Sequence, residues 1–420
     1  MPKGRIRAQA QDVYNDLARV SAVQQLGIVL EFDRHLDLAK LEEAVREVVR
    51  CQPILGCRWA KGRLWPHFEP IGARAAVIET VEADDVSAEA WRAVGEQLDP
   101  AAGPLGRVTL VRGGPEDALV VRLDHTAGDG QGAKRFATLL AQAYRTGSGG
   151  AAVSGSARSG WRLITAVGRR NAWRAMRTRQ APRPTWGMPV AGTGDGPCRF
   201  ETRTIAPERF EQAREWGRQY GATVNDLLLA AFYRALFGGF SPQADRPMAV
   251  NVSFDMRRYL PEAAGDLPIM NLSSVETAMV ARVPGETLGQ TVPRVTAEMA
   301  LRKSGMPGVG SVMLMQMSSL AGYATMRNLV QTPMLRGQMF QLSFPFLSNF
   351  GVLHEDDLGF GGFGPKSVVM IGPAARAPFF MLGASTYRGA LTVSGGCVTR
   401  TMDPAILPGV LDRVAAGLPG

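Results

Sequence analysis

Within the stretch VRLDHTAGDG, residues 121–130, His125 is followed four positions later by Asp129 and then by Gly130. An imidazole is the side chain whose ordinary pKa lies nearest neutrality, so His125 is a candidate proton carrier. The same spacing also suits a partial metal site, or nothing more than a strand running into a turn. The flanks narrow this. DALVVRL (117–123) reads as a strand, and QGAKRFATLLAQAYR (131–145) as a helix with Phe136, Leu139, Leu140 and Ala143 on its apolar face. Asp129 then stands at a helix N-terminus, where unpaired N–H groups and the helix dipole favour a fixed anion. Gly130 would permit a tight backbone at that point. His125 is left on the short connection, where functional side chains often project, although a lone histidine is more often structural than catalytic.

A metal centre is not expected. Asp124, His125 and Asp129 offer ligands, but no second histidine is near, and HTAGD lacks the helical setting that places both histidines of HExxH on one face. The cysteines, Cys51, Cys57, Cys198 and Cys397, form no CxxC pair. GFGGFG (359–364) matches a dinucleotide-binding fingerprint by letter only. It follows acidic HEDDL and precedes Pro365 and strand-like SVVMI, so it reads as a glycine-rich loop. Neither a G-x-S-x-G elbow nor a phosphate-binding P-loop motif occurs.

The elements that must position His125 spread over 420 residues, which suits two domains better than one core. LDLAKLEEAVREVVRCQPIL has Asp37 as an N-cap, Leu38, Leu41, Val45 and Val48 on one face, and Pro53 as its stop. Strand-like RVTLV (107–111) precedes the His125 strand. Residues 146–160, TGSGGAAVSGSARSG, have the small, flexible composition of a linker. The next stretch, 161–186, carries many arginines and no acid; it suits either a solvated tether or an amphipathic segment that meets an anionic partner. A second α/β region starts near 197: a helix opened by Pro207 and closed near Gly221, an apolar helix at TVNDLLLAAFYRALFGGF (223–240), a strand at MAVNVSFDMRRYLP (248–261), and two strands with a turn at Arg388-Gly389 within 379–396. The division is therefore residues 1–145, a flexible and basic linker at 146–196, and residues 197–420.

Lys and Arg total 47 against 38 Asp and Glu, a net charge of +9. That favours acidic partners: an anionic membrane met peripherally, the phosphates of coenzyme A, or an acidic carrier protein. Nucleic acid is not expected, because no basic run interleaves with aromatics. The basic N-terminal residues lack an apolar signal core, and no uncharged apolar run approaches the roughly 18 residues of a membrane span. A cytoplasmic protein with reduced thiols is expected.

DHTAGDG resembles the HxxxDG motif of the condensation-domain and chloramphenicol acetyltransferase-like acyltransferases. Further stretches resemble the same superfamily in the same order: LDLAKLEEAVREVVRCQPILGCRW its opening helix, GATVNDLLLAAFYRAL the buried helix that begins its second half, SFDMRRYLP the segment carrying its arginine, and LSNFGVL (347–353) a later strand ending in Asn-x-Gly. The resemblance implies an α/β fold of two similar lobes, each a mixed sheet flanked by helices, with the active site in a tunnel between them. It implies His125 as the catalytic base, Asp129 and Gly130 as structural, and an arginine partner for Asp129 from the second half, Arg257 by its D-x-R spacing with Arg258 as the fallback. Ser348 and Asn349 become candidates for oxyanion or acceptor contacts, although a strand end and turn explain them equally well. Two departures matter. Peptide-forming condensation domains usually carry two adjacent histidines, and here the first position is Asp124. The DFGWG segment of the plant-type acyltransferases has no clear counterpart. The chain is thus more similar to free-standing alcohol acetyltransferases or polyketide-associated acyltransferases.

The activity this implies is transfer of an acyl group from acyl-CoA or a phosphopantetheine-linked carrier to a hydroxyl- or amine-bearing small molecule, with no permanently bound cofactor and a monomeric enzyme. Methionines concentrated between Met306 and Met339 suit adaptable packing around a long apolar group. The rivals are a non-catalytic module docked on a carrier protein, against which the intact His125, Asp129 and Gly130 argue, and a cyclising module that keeps the same tunnel.

Overall fold

The computed structural model describes residues 4–72, 78–153, 157–180, 182–240, 246–261 and 267–419. Of the sequence-derived linker, 154–156 and 181 lie outside the described residues.

The described residues form two main sheets. The first has five strands in the order Ser367–Ile371, Gln25–Phe32, Glu116–Asp124, Gly106–Gly113 and Ile78–Glu82, antiparallel except for the last pair. The strand before His125 is therefore central, paired on both edges, and its buried Leu119, Val121 and Leu123 hold it in the first lobe's core. The helix Leu38–Cys51 starts at Asp37, whose side chain accepts from Lys40 N at 3.2 Å. Gly130–Thr146 buries Phe136, Leu139, Leu140 and Ala143, the face the periodicity indicated, and ends at left-handed Gly147.

The second sheet has eight strands, built around Met248–Asp255, Phe346–Leu353, Met381–Tyr387 and Ala390–Val398. Its core surrounds the helix Val224–Phe240, which is buried from Asp226 to Phe237 except at Arg234. This is why that helix carries so little polar character: a helix apolar all round must be enclosed. Its Tyr233 hydroxyl donates to the carbonyls of Met248 at 3.1 Å and Ala278 at 2.9 Å, satisfying the buried phenol. Arg388 and Gly389 form the turn between the last two strands, both with positive φ (46° and 77°).

Two strands cross between the halves of the sequence. Ser367–Ile371 completes the edge of the first sheet against Gln25–Phe32, while the short strand Ala22–Val23 pairs with Ala374–Ala375 in the second. The arginine-rich stretch forms two helices, Trp161–Val167 and Arg169–Arg177, docked on Val309–Leu320. Leu163, Ile164 and Ala172 are buried in the second core, so these few apolar side chains override the polar composition. The GFGGFG stretch is a tight loop with Gly361 and Gly362 at positive φ, and its Phe360 is buried against Phe32 and Tyr144.

Candidate active site

A cavity of about 550 Å³ lies between the two sheets and is lined from both. His125 stands in its wall, immediately after the central strand. Backbone hydrogen bonds hold the loop that carries it. Asp124 N donates to Leu105 O at 2.8 Å, His125 N to Gln24 O at 2.9 Å, and Ala127 N to Asp124 O at 2.9 Å.

Asp124 faces the protein rather than the cavity. Its carboxylate accepts two hydrogen bonds from Arg19 (2.8 and 2.9 Å) and two from Thr126, the N–H at 3.0 Å and the hydroxyl at 2.6 Å. A carboxylate at this position thus pins the loop from behind.

Asp129 caps the helix Gly130–Thr146, accepting from Gly132 N at 3.0 Å, and also accepts from Leu272 N at 2.7 Å. Arg257 closes on it with two parallel hydrogen bonds of 2.9 and 3.0 Å and reaches Met270 O at 3.0 Å. Both side chains are buried, and the guanidinium and backbone donors hold the Asp129 carboxyl below its usual range against the opposing effect of burial. Arg257 is placed by the 3₁₀ turn Met256–Tyr259, which Asp255 caps by accepting from Arg257 N at 3.0 Å. Arg258, on the same turn, is exposed and lies over the Tyr259 ring. Gly130 has no positive φ, so tight backbone is not its reason for being glycine. A Cβ there would come within 3.0 Å of the Phe350 ring, so the missing side chain makes room for the opposite sheet.

The His125 ring is set by two asparagines. Asn271 Nδ2 donates to Asp12 Oδ1 (2.9 Å), His125 O (2.8 Å) and Thr126 O (3.1 Å), which turns its Oδ1 toward His125 Nδ1 at 3.2 Å. Asn15 Nδ2 lies 2.9 Å from Nδ1, but its two hydrogens have oxygen acceptors in His125 O (2.9 Å) and Asn271 Oδ1 (3.0 Å). With those hydrogens engaged, Nδ1 is assigned the hydrogen, toward Asn271 Oδ1, and Nε2 the lone pair; this is an assignment from heavy-atom positions. Burial lowers the His125 pKa, so the ring is neutral near pH 7.

Ser348 and Asn349, on the strand Phe346–Leu353, also line the cavity. Ser348 Oγ accepts from Ser253 Oγ at 3.4 Å, and Asn349 Oδ1 accepts from Gly351 N at 2.9 Å, where the strand bulges. Ser253, Asn251 and Gln131 add polar groups to the lining. Apolar side chains complete the lining, among them Leu314, Met315, Val330 and Met334 from the methionine-rich helices, with Phe344 and Phe379. Sequence reasoning missed Asp12, Asn15 and Asn271. Only Asn271 carried a signal, as a single amide inside the apolar run PIMNL.

No protein-family model matches the chain, and no curated protein matches its sequence. Solved structures do match in shape over nearly all of it. The trichothecene 15-O-acetyltransferase TRI3 from Fusarium sporotrichioides superposes with a TM-score of 0.70 at 13% identity, covering 99% of this chain and 94% of its own. Polyketide synthase associated protein 5 from Mycobacterium tuberculosis gives 0.64 at 14% identity, covering 100% and 98%. The starter condensation domain of rhizomide synthetase, solved with C8-CoA, gives 0.65 at 16% identity, covering 98% and 95%. The chain shares the two-lobed fold of these acetyltransferase and condensation-domain structures. At such identities the shared property is the fold, and the reaction must be argued from the site.

Proposed function

We propose that the protein is an acyltransferase that moves an acyl group from a coenzyme A or carrier-protein thioester onto a hydroxyl or amine acceptor, in natural-product or lipid biosynthesis. The observation that carries this is a neutral His125 in the cavity wall, with Nδ1 bonded inward and Nε2 left for the cavity. Nε2 takes the proton from the acceptor as its oxygen or nitrogen attacks the thioester carbonyl. The C–S bond of the tetrahedral adduct then breaks, and the proton passes from the imidazolium to the departing thiolate. No serine or cysteine nucleophile is required, because the thioester is already activated. Positioned acid–base catalysis of this kind contributes on the order of 10²–10⁴ in rate. Ser348 and Asn349 are the donors nearest in kind to an oxyanion site, and a preorganised donor stabilises developing charge strongly in a water-poor cavity.

The apolar wall of Leu314, Met315, Val330 and Met334 suits a lipophilic acyl chain or acceptor. The excess of basic side chains suits the phosphates of coenzyme A or an acidic carrier. A monomeric cytoplasmic protein, with no permanently bound cofactor, fits this chemistry. The deciding experiment incubates the protein with acyl-CoA and acyl-carrier donors and a panel of alcohols and amines, and follows thiol release and product mass. Release that needs both an acceptor and His125 establishes transfer. Carrier binding without turnover would instead identify a docking module, and product formed without an added acceptor a cyclising one.

A further inference from the structure

Arg158 belongs to the small-residue stretch that composition marks as flexible, yet its side chain is 1% exposed. Its guanidinium lies over the Phe68 ring at 5.3 Å. Nη1 donates to Ala127 O, within the HxxxD loop, at 2.7 Å, and to Ile269 O; Nη2 donates to Asp12 Oδ2 at 3.1 Å. Asp12 is 0% exposed. Its Oδ2 also accepts from Gln9 N at 2.9 Å, a helix-capping contact that accounts for one oxygen alone. The other oxygen, Oδ1, accepts from Asn271 Nδ2 at 2.9 Å.

We infer that Arg158 and Asp12 are positioning residues that set the tautomer of His125 through Asn271. This rests on the acyl-transfer reading only for its kinetic consequence. A carboxylate accepts and cannot donate, so Asp12 admits only the NH2 end of the Asn271 amide and acts with the carbonyls of His125 and Thr126, which the same NH2 group reaches. That leaves the carbonyl end facing His125 Nδ1, which must then hold its hydrogen and free the Nε2 lone pair for the cavity. Arg158 Nη2 and Gln9 N both occupy Asp12 Oδ2, which fixes the carboxylate's orientation and leaves Oδ1 as the oxygen that meets the Asn271 amide. Four side chains, Arg158, Asp12, Asn271 and His125, thus form one chain of donors and acceptors from the inter-lobe segment to the reacting nitrogen.

The test uses the full-length protein labelled with nitrogen-15 histidine. Only four histidines need resolving, and H125Q assigns the signal of interest. The wild-type ring is expected as the neutral Nδ1–H form. In Asp12→Asn, the oxygen side of the new amide stays with Gln9 N and Arg158, and its NH2 opposes the Asn271 NH2. The His125 signals are expected to move toward the Nε2–H form while the circular dichroism spectrum is retained. Arg158→Met, which removes the partner that holds Asp12 Oδ2, is expected to loosen the carboxylate and give a mixture of the two forms. If it fails to fold, Asp12→Asn still decides the matter, because it preserves shape. With octanoyl-CoA as donor, Asp12→Asn should lower kcat by between about tenfold and the roughly 10⁴-fold that a wrong histidine tautomer costs in a serine protease, leaving KM within about twofold. A folded Asp12→Asn protein with unchanged His125 nitrogen shifts would overturn the relay, whether or not acyl transfer occurs. The tautomer change seen in a protein without transferase activity would uphold the relay and reject the reaction.

Discussion

Arg257 and Asp129, 128 positions apart in sequence, meet through two parallel hydrogen bonds of 2.9 and 3.0 Å inside the protein. Arg257 lies on the turn that follows the second sheet's strand Met248–Asp255 and Asp129 opens the helix after His125, so the pair ties the lobes together beside the cavity. Removing one partner leaves the other charge uncompensated. Asp129→Ala is expected to cost roughly 3–5 kcal/mol of stability. Urea unfolding checks this, and a variant with the parent's midpoint would refute the strut role. The pair also has a pH signature. The folded Asp129 pKa is depressed, so its contribution is present above the unfolded value of about 3.9 and is lost as pH falls through the folded value.

His125→Ala should behave in the opposite way. Its ring lines the cavity, and its truncation removes the proposed base while Asp124, Asp129 and Arg257 still hold the loop. Thiol release should fall by about 10²–10⁴, with the melting curve close to the parent's. A well-folded alanine variant with full turnover would remove the mechanism.

The burial that lowers the His125 pKa moves the acid limb of kcat/KM. A base with a depressed pKa stays unprotonated further into acid, so the midpoint of that limb is expected below the ordinary value of about 6.5. Stability carries the same sign: below about 6.5 the unfolded chain takes up a proton that the folded ring resists, so stability declines as pH falls between the two values. A pH–rate profile with its acid midpoint above 6.5 would assign that limb to another group.

Asp124 gives a structural prediction. Its carboxylate collects hydrogen bonds from Arg19 and Thr126 behind the loop. Asp124→Ala leaves the Thr126 N–H buried without its acceptor, at a cost of about 1–3 kcal/mol. Activity should drop through disorder of the loop, read as a larger fall in kcat than in the affinity for the donor.

Met334 offers a handle on the substrate. It lines the apolar part of the cavity, and Met334→Trp would occupy space otherwise open to a chain. Each excluded methylene forfeits about 0.8 kcal/mol, so losing two should lower kcat/KM for an octanoyl donor by roughly tenfold or more relative to acetyl. Equal effects on both donors would place the acyl chain elsewhere.

What was legible in advance follows from how local each signal is. His125, Asp129 and the helix after them lie within one strand-turn-helix, so spacing, capping and apolar periodicity all speak about the same few residues. Arg257 came through resemblance, since nothing in its own neighbourhood says which carboxylate, 128 positions away, it will meet. Asp12, Asn15 and Asn271 have no periodicity to betray them, because a buried polar residue is defined by partners that only the tertiary fold supplies. Arg158 was hidden more completely, as one long side chain among glycines, serines and alanines whose average suggests solvent. The docking of the arginine-rich helices is hidden for the same reason: Leu163, Ile164 and Ala172 decide it, and composition counts them only three times.

The strand Ser367–Ile371 forms one edge of the sheet that holds His125, pairing with Gln25–Phe32. Synthesis on the ribosome therefore delivers the last piece of the first sheet some 250 residues after the strand Glu116–Asp124, a wait of about 12–50 s at 5–20 residues per second. Through that interval the Gln25–Phe32 edge presents unpaired backbone groups to any passing strand. The nascent chain must be shielded, or held short of its final pairing, until its own late segment arrives.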